Sequence, residues 1–367
     1  MRKWITVAVA AVLVGVPSAT AMAKGAGDGE LRESLDALVR AGVTGAVVRV
    51  DDGQRVRTVA SGVASLESRR PVGGADSFRI ASVTKSFVST VMLQLVGEGR
   101  VRLSDSVERW LPGVVPGGRG ITVRQLLNHT SGLYDYSEDQ GWLAIAMADP
   151  SRSWAARELV AAATAHPPVS EPGAQWKYNN TNYILAGLIA ETVAKRPLAR
   201  LVAERITGPL RLRDTFLATD PRVGPNHIHG YLRSPEGEYT DTTSWSPTMQ
   251  GAAGAMVSTP ADVSRFYRAL LSGELLDQRQ LQEMLTTVRV EERHGGYGLG
   301  IYYIDTQCGR VWGHAGDFPG HHTIAYQDRS GRRSAVLEVA TDVDQEPGSL
   351  FDNTVTTMVC QMMGKRH

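Results

Sequence analysis

Ser82 and Lys85 stand three residues apart in ASVTK, at the head of the apolar-patterned run SFVSTVMLQLV. Lysine is scarce in this chain. There are 6 Lys against 33 Arg, and Lys85 is the only Lys between Lys24 and Lys177. Arg keeps its proton in a protein, whereas a buried Lys can be pushed to the neutral amine. Three apart on a helix, the Ser82 and Lys85 side chains share a face. Lys85 falls in the first turn, where the helix macrodipole opposes a cation and favours the neutral amine. That amine can take the Ser82 hydroxyl proton and leave the activated nucleophile of acyl transfer. The Ser82 backbone N–H, at the helix start, points where an oxyanion would form. Ser-x-x-Lys alone also describes an ordinary helix cap with a solvated lysine, so its company decides.

Two further stretches supply that company. Tyr178-Asn179-Asn180, in KYNNTNY, is the only Tyr-x-Asn in the chain and lies just before a helical pattern. Tyr178 could carry protons between Ser82 and a leaving group, and the Asn180 amide both donates and accepts, as a substrate peptide bond requires. An N-cap role for Asn180 or Thr181 is compatible with this. His314-Ala315-Gly316, in VWGHAGDFPG, reads as a strand whose edge could pair with an extended substrate, with Gly316 allowing close approach. A lone His in such a strand is more often structural; it gains weight from the other two motifs.

These residues need a scaffold. Residues 30–42 show helical spacing at Leu31, Leu35, Leu38 and Val39, ended by Gly42. GAVVRVDDGQRVRTVASGVAS reads as two strands around the turn Asp51-Asp52-Gly53-Gln54. SVTKSFVSTVMLQLVGEG predicts one helix with Phe87, Val88, Val91, Met92, Leu95 and Val96 on one face. VRQLLN, AARELVAAATAH and TNYILAGLIAETVAKR continue the helical character, separated by Pro/Gly loops. Past Gly251 come the helix PADVSRFYRALLSGE, then strand-like runs YGLGIYYI, RVWGHAG, HTIAYQ and RSAVLEVA, and a closing helix over about 350–363. Strands at both ends with short hairpin links predict an α+β fold: an antiparallel sheet flanked by helices, with an inserted all-helical region. The α/β part is expected at about 30–95 and 251–362, the helical region at about 96–250.

The chain opens with Arg2 and Lys3, an apolar stretch from Trp4 to Val16, then Pro17 and small residues, an order that predicts a secretory signal peptide over 1–23. The expected location is extracytoplasmic, with no stable membrane anchor. In an oxidising compartment, the two cysteines, Cys308 and Cys360, are expected to form a disulfide. Net charge +1 and 21% charged residues carry no basic bias towards nucleic acid. Neither Gly-x-Ser-x-Gly nor His-Glu-x-x-His occurs. His227, His229, His321 and His322 lack carboxylates at ligand spacing, so neither metal nor cofactor is expected.

Ser82-Val83-Thr84-Lys85, Tyr178-Asn179-Asn180 and His314-Ala315-Gly316 together resemble the three motifs of the penicillin-recognising serine hydrolases. With ITVRQLLNHTSGLYDY and GYGLG, the chain is most similar to secreted D-alanyl-D-alanine carboxypeptidases of the class C β-lactamase type, over about residues 31–362. The resemblance implies an acyl-enzyme at Ser82, with Lys85 as base and Tyr178 as proton shuttle. It implies that Asn180 binds the substrate amide, that His314 lines the third wall, and that the N–H groups of Ser82 and Asp317 form the oxyanion hole. Peptidoglycan stem peptides or small acyl compounds would be substrates, and β-lactams inhibitors or substrates. Two departures bear on specificity. Ala315 lacks the hydroxyl usual at its position, and Ile301-Tyr302-Tyr303 stands where the carboxypeptidases carry basic residues. Both losses fall on the substrate's free carboxylate; Asp317 is expected to add negative charge there, and the tyrosines to offer aromatic surface. Arg293 and Arg310 are the candidate replacements for the missing cation. An esterase or D-amino-acid amidase on the same fold, or a slowly acylated penicillin-binding receptor, are the alternatives.

Overall fold

The computed structural model describes residues 19–290, 295–343 and 348–365. Most of the leader read at 1–23, and Arg293, lie outside them. An eight-stranded antiparallel sheet forms the centre. Its strands are β1 (Gly45–Asp51), β2 (Val56–Gly62), β3 (Val288–Val290), β4 (Gly295–Tyr297), β5 (Tyr302–Thr306), β6 (Gly309–Phe318), β7 (His321–Gln327) and β8 (Ser334–Val339). Their order in space is β2-β1-β8-β7-β6-β5-β4-β3. One long-range join, Ala46 opposite Val339, stitches the two ends of the chain into this sheet. Everything else is hairpin, as the short links required.

Helix α1 (Ala19–Arg40), α2 (Thr84–Gly97), α3 (Asn180–Ala194), α4 (Pro260–Leu271) and α5 (Leu350–Met362) matter most for the site. Alternation along β1 sends Ala46, Val48 and Val50 to one face, where they meet Leu31, Leu35 and Leu38 of α1 and Met358 of α5. Val47 points to the other face, into the core shared with α2, α3 and α4. The ring of Phe87 on α2 stacks on Phe266 of α4 at 3.6 Å. The segment between α2 and α4 is not all-helical, since it carries the short strands Phe216–Leu217, Tyr231–Arg233, Tyr239–Asp241 and Met256–Ser258 among its helices, and it packs α3 against α2.

Three further expectations change. Helix α2 is buried on every side, from Thr84 to Leu93, and is not single-faced. It is the central helix, enclosed by the sheet side and the helical region together. YGLGIYYI is not one strand: it folds back as β4 and β5, with Tyr302 opposite Tyr297. Gly300, at φ +76, makes the reversal, and a Cβ there would meet the Lys85 carbonyl at 2.7 Å and Ser89 Oγ at 2.2 Å. The glycine thus lets the hairpin press onto the helix that carries the lysine. Helices Gln140–Ala148 and Gln278–Leu285 and the short β3 were not read from the sequence. The first carries little periodicity, while the second does place Leu281, Met284 and Leu285 on one face but spans only two turns.

Cys308 and Cys360 are joined, with Cα atoms 5.1 Å apart, tying the start of β6 to α5. For a loop of 52 residues, chain entropy assigns the bridge roughly 4 kcal/mol. The Cys308→Ser variant is therefore expected to unfold at a clearly lower urea midpoint than the oxidised parent. Coincident midpoints would show that the bridge contributes nothing.

Candidate active site

Ser82 sits in a 3-10 turn, Ala81–Val83, immediately ahead of α2. The residue before it, Ala81, holds φ +43, an unusual conformation that persists only where neighbours impose it. Thr84 imposes it from one side: its hydroxyl donates to the Ala81 carbonyl at 2.6 Å and accepts from the Met256 N–H at 3.1 Å. Strand β6 imposes it from the other. A Cβ on Gly316 would meet the Ile80 carbonyl at 2.4 Å and the Ser82 nitrogen at 3.0 Å. The close approach that Gly316 permits is thus to the backbone of the nucleophile, which packs against β6, and not to a substrate as the sequence suggests. Beyond Gly313 the pairing with β5 has ended, while that with β7 runs on to Phe318.

Lys85, in the first turn of α2, is wholly buried. Its Nζ lies 2.9 Å from each of three oxygens: Ser82 Oγ, Asn180 Oδ1 and the Ala253 carbonyl. Two of these are acceptors only, and the third is a hydroxyl. A neutral amine satisfies all three by donating its two protons to Asn180 and Ala253 and accepting the Ser82 O–H on its lone pair. Burial drives the Lys85 pKa down to about 7, against the opposing pull of Asp135 and Asp317. The site thus holds a base that is half-neutral near physiological pH.

Asn180 opens α3, capped by Asn179. With its Oδ1 on Lys85, its Nδ2 donates to Asp135 Oδ2 and Ser137 Oγ, at 3.2 Å each. Asp135 also accepts the Asn180 backbone N–H at 2.8 Å. Burial raises the Asp135 pKa even against these hydrogen bonds. In this arrangement the Asn180 amide is engaged by protein groups and orients Lys85. The ring of Tyr178 lies beside the amine, its centroid 4.8 Å from Nζ. His314 is buried, its Nε2 2.9 Å from the Tyr297 hydroxyl, and it reaches Tyr178 by ring contact at 6.2 Å. The structure thus gathers Ser82, Lys85, Tyr178, Asn180, His314 and Gly316 in one place.

Asp317 departs from expectation. Its carboxylate is turned to His322 Nδ1 at 2.5 Å, while His322 Nε2 faces Asp342 at 3.4 Å. Burial opposes a charge on His322, but these two carboxylates outweigh it and push its pKa up to about 9. The imidazolium therefore offsets the Asp317 charge, which weighs less on an incoming anion than the sequence implied. The tyrosines also differ. Tyr302 is buried with its hydroxyl 3.1 Å from that of Tyr326, and Tyr303 packs on Trp312, so they do not form an open aromatic surface. Arg310 is held bidentate by Asp305 and lies over the Tyr303 ring at 3.9 Å.

Sequence reasoning missed Asp135, Ser137, Ala253 and Tyr297. Asp135 also serves a local turn by accepting the Ser137 N–H, a role that carries no catalytic signature. Ala253 acts through a carbonyl, which any residue carries. Among the described residues no group of three His, Cys, Asp or Glu side chains is placed to hold a metal, and no helix is long and apolar enough to cross a membrane.

A serine activated by a buried amine, on a strained turn against a strand edge, defines a serine hydrolase working by acyl transfer. The chain belongs to the Beta-lactamase family, whose model matches residues 32–355. A D-stereospecific amidohydrolase from a Streptomyces species superposes with a TM-score of 0.82 at 40% identity, covering 89% of this chain and 98% of that one. The D-amino acid amidase of Ochrobactrum anthropi SV3, in complex with L-phenylalanine amide, gives 0.80 at 30% identity, over 92% and 99% of the two chains. Penicillin-binding protein 4* of Bacillus subtilis is 27% identical, over 82% of this chain and 69% of its own length.

Proposed function

We propose that this serine hydrolase, exported by the leader at residues 1–23, cleaves amide, peptide or ester bonds of small D-configured acyl compounds through an acyl-enzyme at Ser82. Neutral Lys85 takes the Ser82 proton as Oγ bonds to the substrate carbonyl carbon. The oxyanion that forms is stabilised by the backbone N–H groups of Ser82 and Asp317. As the tetrahedral species collapses, the C–N or C–O bond breaks and the leaving group takes a proton by way of Tyr178. Water then attacks the ester, its proton passes back into the Lys85–Tyr178 pair, and Ser82 and the free acid are regenerated.

The observation that carries this reading is the contact between Ser82 Oγ and an amine whose other two neighbours are acceptors only. The chain's likeness to a D-stereospecific amidohydrolase and a D-amino acid amidase supports amides as the preferred class. A D-alanyl-D-alanine carboxypeptidase is the second reading, supported by the likeness to penicillin-binding proteins. The test has two arms. Brief exposure to penicillin followed by intact-mass and peptide mapping should place an adduct on Ser82, absent from Ser82→Ala. D-phenylalanine amide should then release ammonia much faster than its L enantiomer. A lasting adduct with no turnover of any amide, ester or peptide would favour the slowly acylated receptor instead.

A further inference from the structure

Tyr178 is held on both sides by one residue distant in sequence. The Lys177 N–H donates to the carbonyl of His129 at 3.0 Å, and the Asn179 N–H donates to Nδ1 of the same His129 at 3.2 Å. A backbone N–H can only donate, so this Nδ1 carries its lone pair. The Asn182 amide, whose Oδ1 accepts from Ser131, donates to it as well at 3.3 Å. The His129 ring lies 4.5 Å from the Tyr178 ring, centroid to centroid. His129 is itself fully enclosed, 1% exposed, and holds φ +62. That left-handed conformation is uncommon for a residue with a side chain, and here Asn or His tolerates it best. Residues 175–179 belong to no helix or strand. Regular backbone pairing therefore does not fix Tyr178; the two bonds to His129 bracket it.

We propose that His129 is a positioning residue for the reaction, fixing Tyr178 where its phenol can deliver a proton to the departing amine. The proposal rests on the acyl-enzyme reading above, in which Tyr178 carries that proton. His129 acts through Tyr178. Its contribution is geometric, and a displacement of about 1 Å in a catalytic group can cost on the order of 100-fold in rate. The effect should depend on the leaving group. An anilide or alkyl amide cannot depart without a proton, whereas a p-nitrophenolate can.

The experiment compares kcat/KM, which reports acylation, for an anilide and a p-nitrophenyl ester of the same acyl group. Tyr178→Phe sets the signature: the anilide should fall about 100-fold more than the ester. His129→Ala should reproduce a selective loss of roughly 10- to 100-fold on the anilide. His129→Asn should restore the parent ratio, because its Oδ1 stands near the place of Nδ1 and Asn accepts positive φ. If His129→Ala does not fold, His129→Asn against His129→Gln decides. Both are amides, but Gln carries its acceptor one bond further out and should lose the anilide selectively. An equal fall on both substrates in the His129 variants, with Tyr178→Phe still selective, would overturn the proposal and leave the acyl-enzyme reading intact. An unselective Tyr178→Phe would remove the shuttle and the proposal together. A parent protein never acylated at Ser82 would defeat the underlying reading before any variant is compared.

Discussion

Lys85→Arg is expected to abolish acylation of Ser82 nearly as completely as Ser82→Ala, although it preserves the positive charge. Arg cannot surrender its proton, so the base is lost while the cation stays. General-base assistance is typically worth about 100- to 10,000-fold, and kcat/KM should fall at least that far. The parent enzyme carries the matching pH signature. The reactive form is the neutral amine, so kcat/KM should rise about tenfold per pH unit at acid pH and level off above the Lys85 pKa of about 7. Asp135 stabilises the ammonium form, so Asp135→Asn should move this limb to lower pH in those molecules that keep the Asn180 contact. Stopped-flow acylation by a penicillin or an activated ester across pH 5 to 9 reads both effects. Full activity in Lys85→Arg would sink the mechanism.

The part of this site that was legible in the sequence is the part written in local spacing. Ser82 and Lys85 announce themselves because three residues make one helical turn, and the 2.9 Å contact between their side chains follows from that. Asn180 was visible at the head of α3 for the same reason. The rest is assembled across long gaps. Ala253 supplies a carbonyl, Asp135 and Ser137 come from a loop 45 and 43 residues ahead of Asn180, and His129 lies 50 residues from Asn179. None of these has a type or spacing that marks it, since each acts through a backbone group or a side chain that could equally serve a turn. The fold behaved in the same way. Strand-like runs and turn residues predicted most hairpins of the sheet, while the all-round burial of α2 takes in Thr84, Lys85, Ser86, Ser89 and Thr90 beside the apolar face and depends on what packs against it.

The second large effect concerns the substrate's free carboxylate. Such a group, entering a site partly closed to water, needs charge-assisted hydrogen bonds, each contributing about 1.5–3 kcal/mol or roughly 10- to 100-fold in binding. Ala315 has no hydroxyl to give. Arg310, named from the sequence as a possible replacement cation, is committed to Asp305 on the neighbouring strand. The Asp317 carboxylate is offset by His322, so a free carboxylate suffers from missing attraction and not from added repulsion. An acyl-D-Ala-D-Ala peptide should therefore be a poorer substrate than its C-terminal amide or methyl ester, by about 10-fold or more in kcat/KM. Masking the carboxylate removes the cost of desolvating a charge that finds no partner. The complementary variant, Ala315→Thr, restores a hydroxyl on β6 and should narrow the gap between acid and amide. The gap should also be insensitive to Arg310→Ala, because that guanidinium is occupied elsewhere. A strong preference of the parent enzyme for the free acid would mean that another cation holds the carboxylate, and the carboxypeptidase reading would then stand over the amidase one.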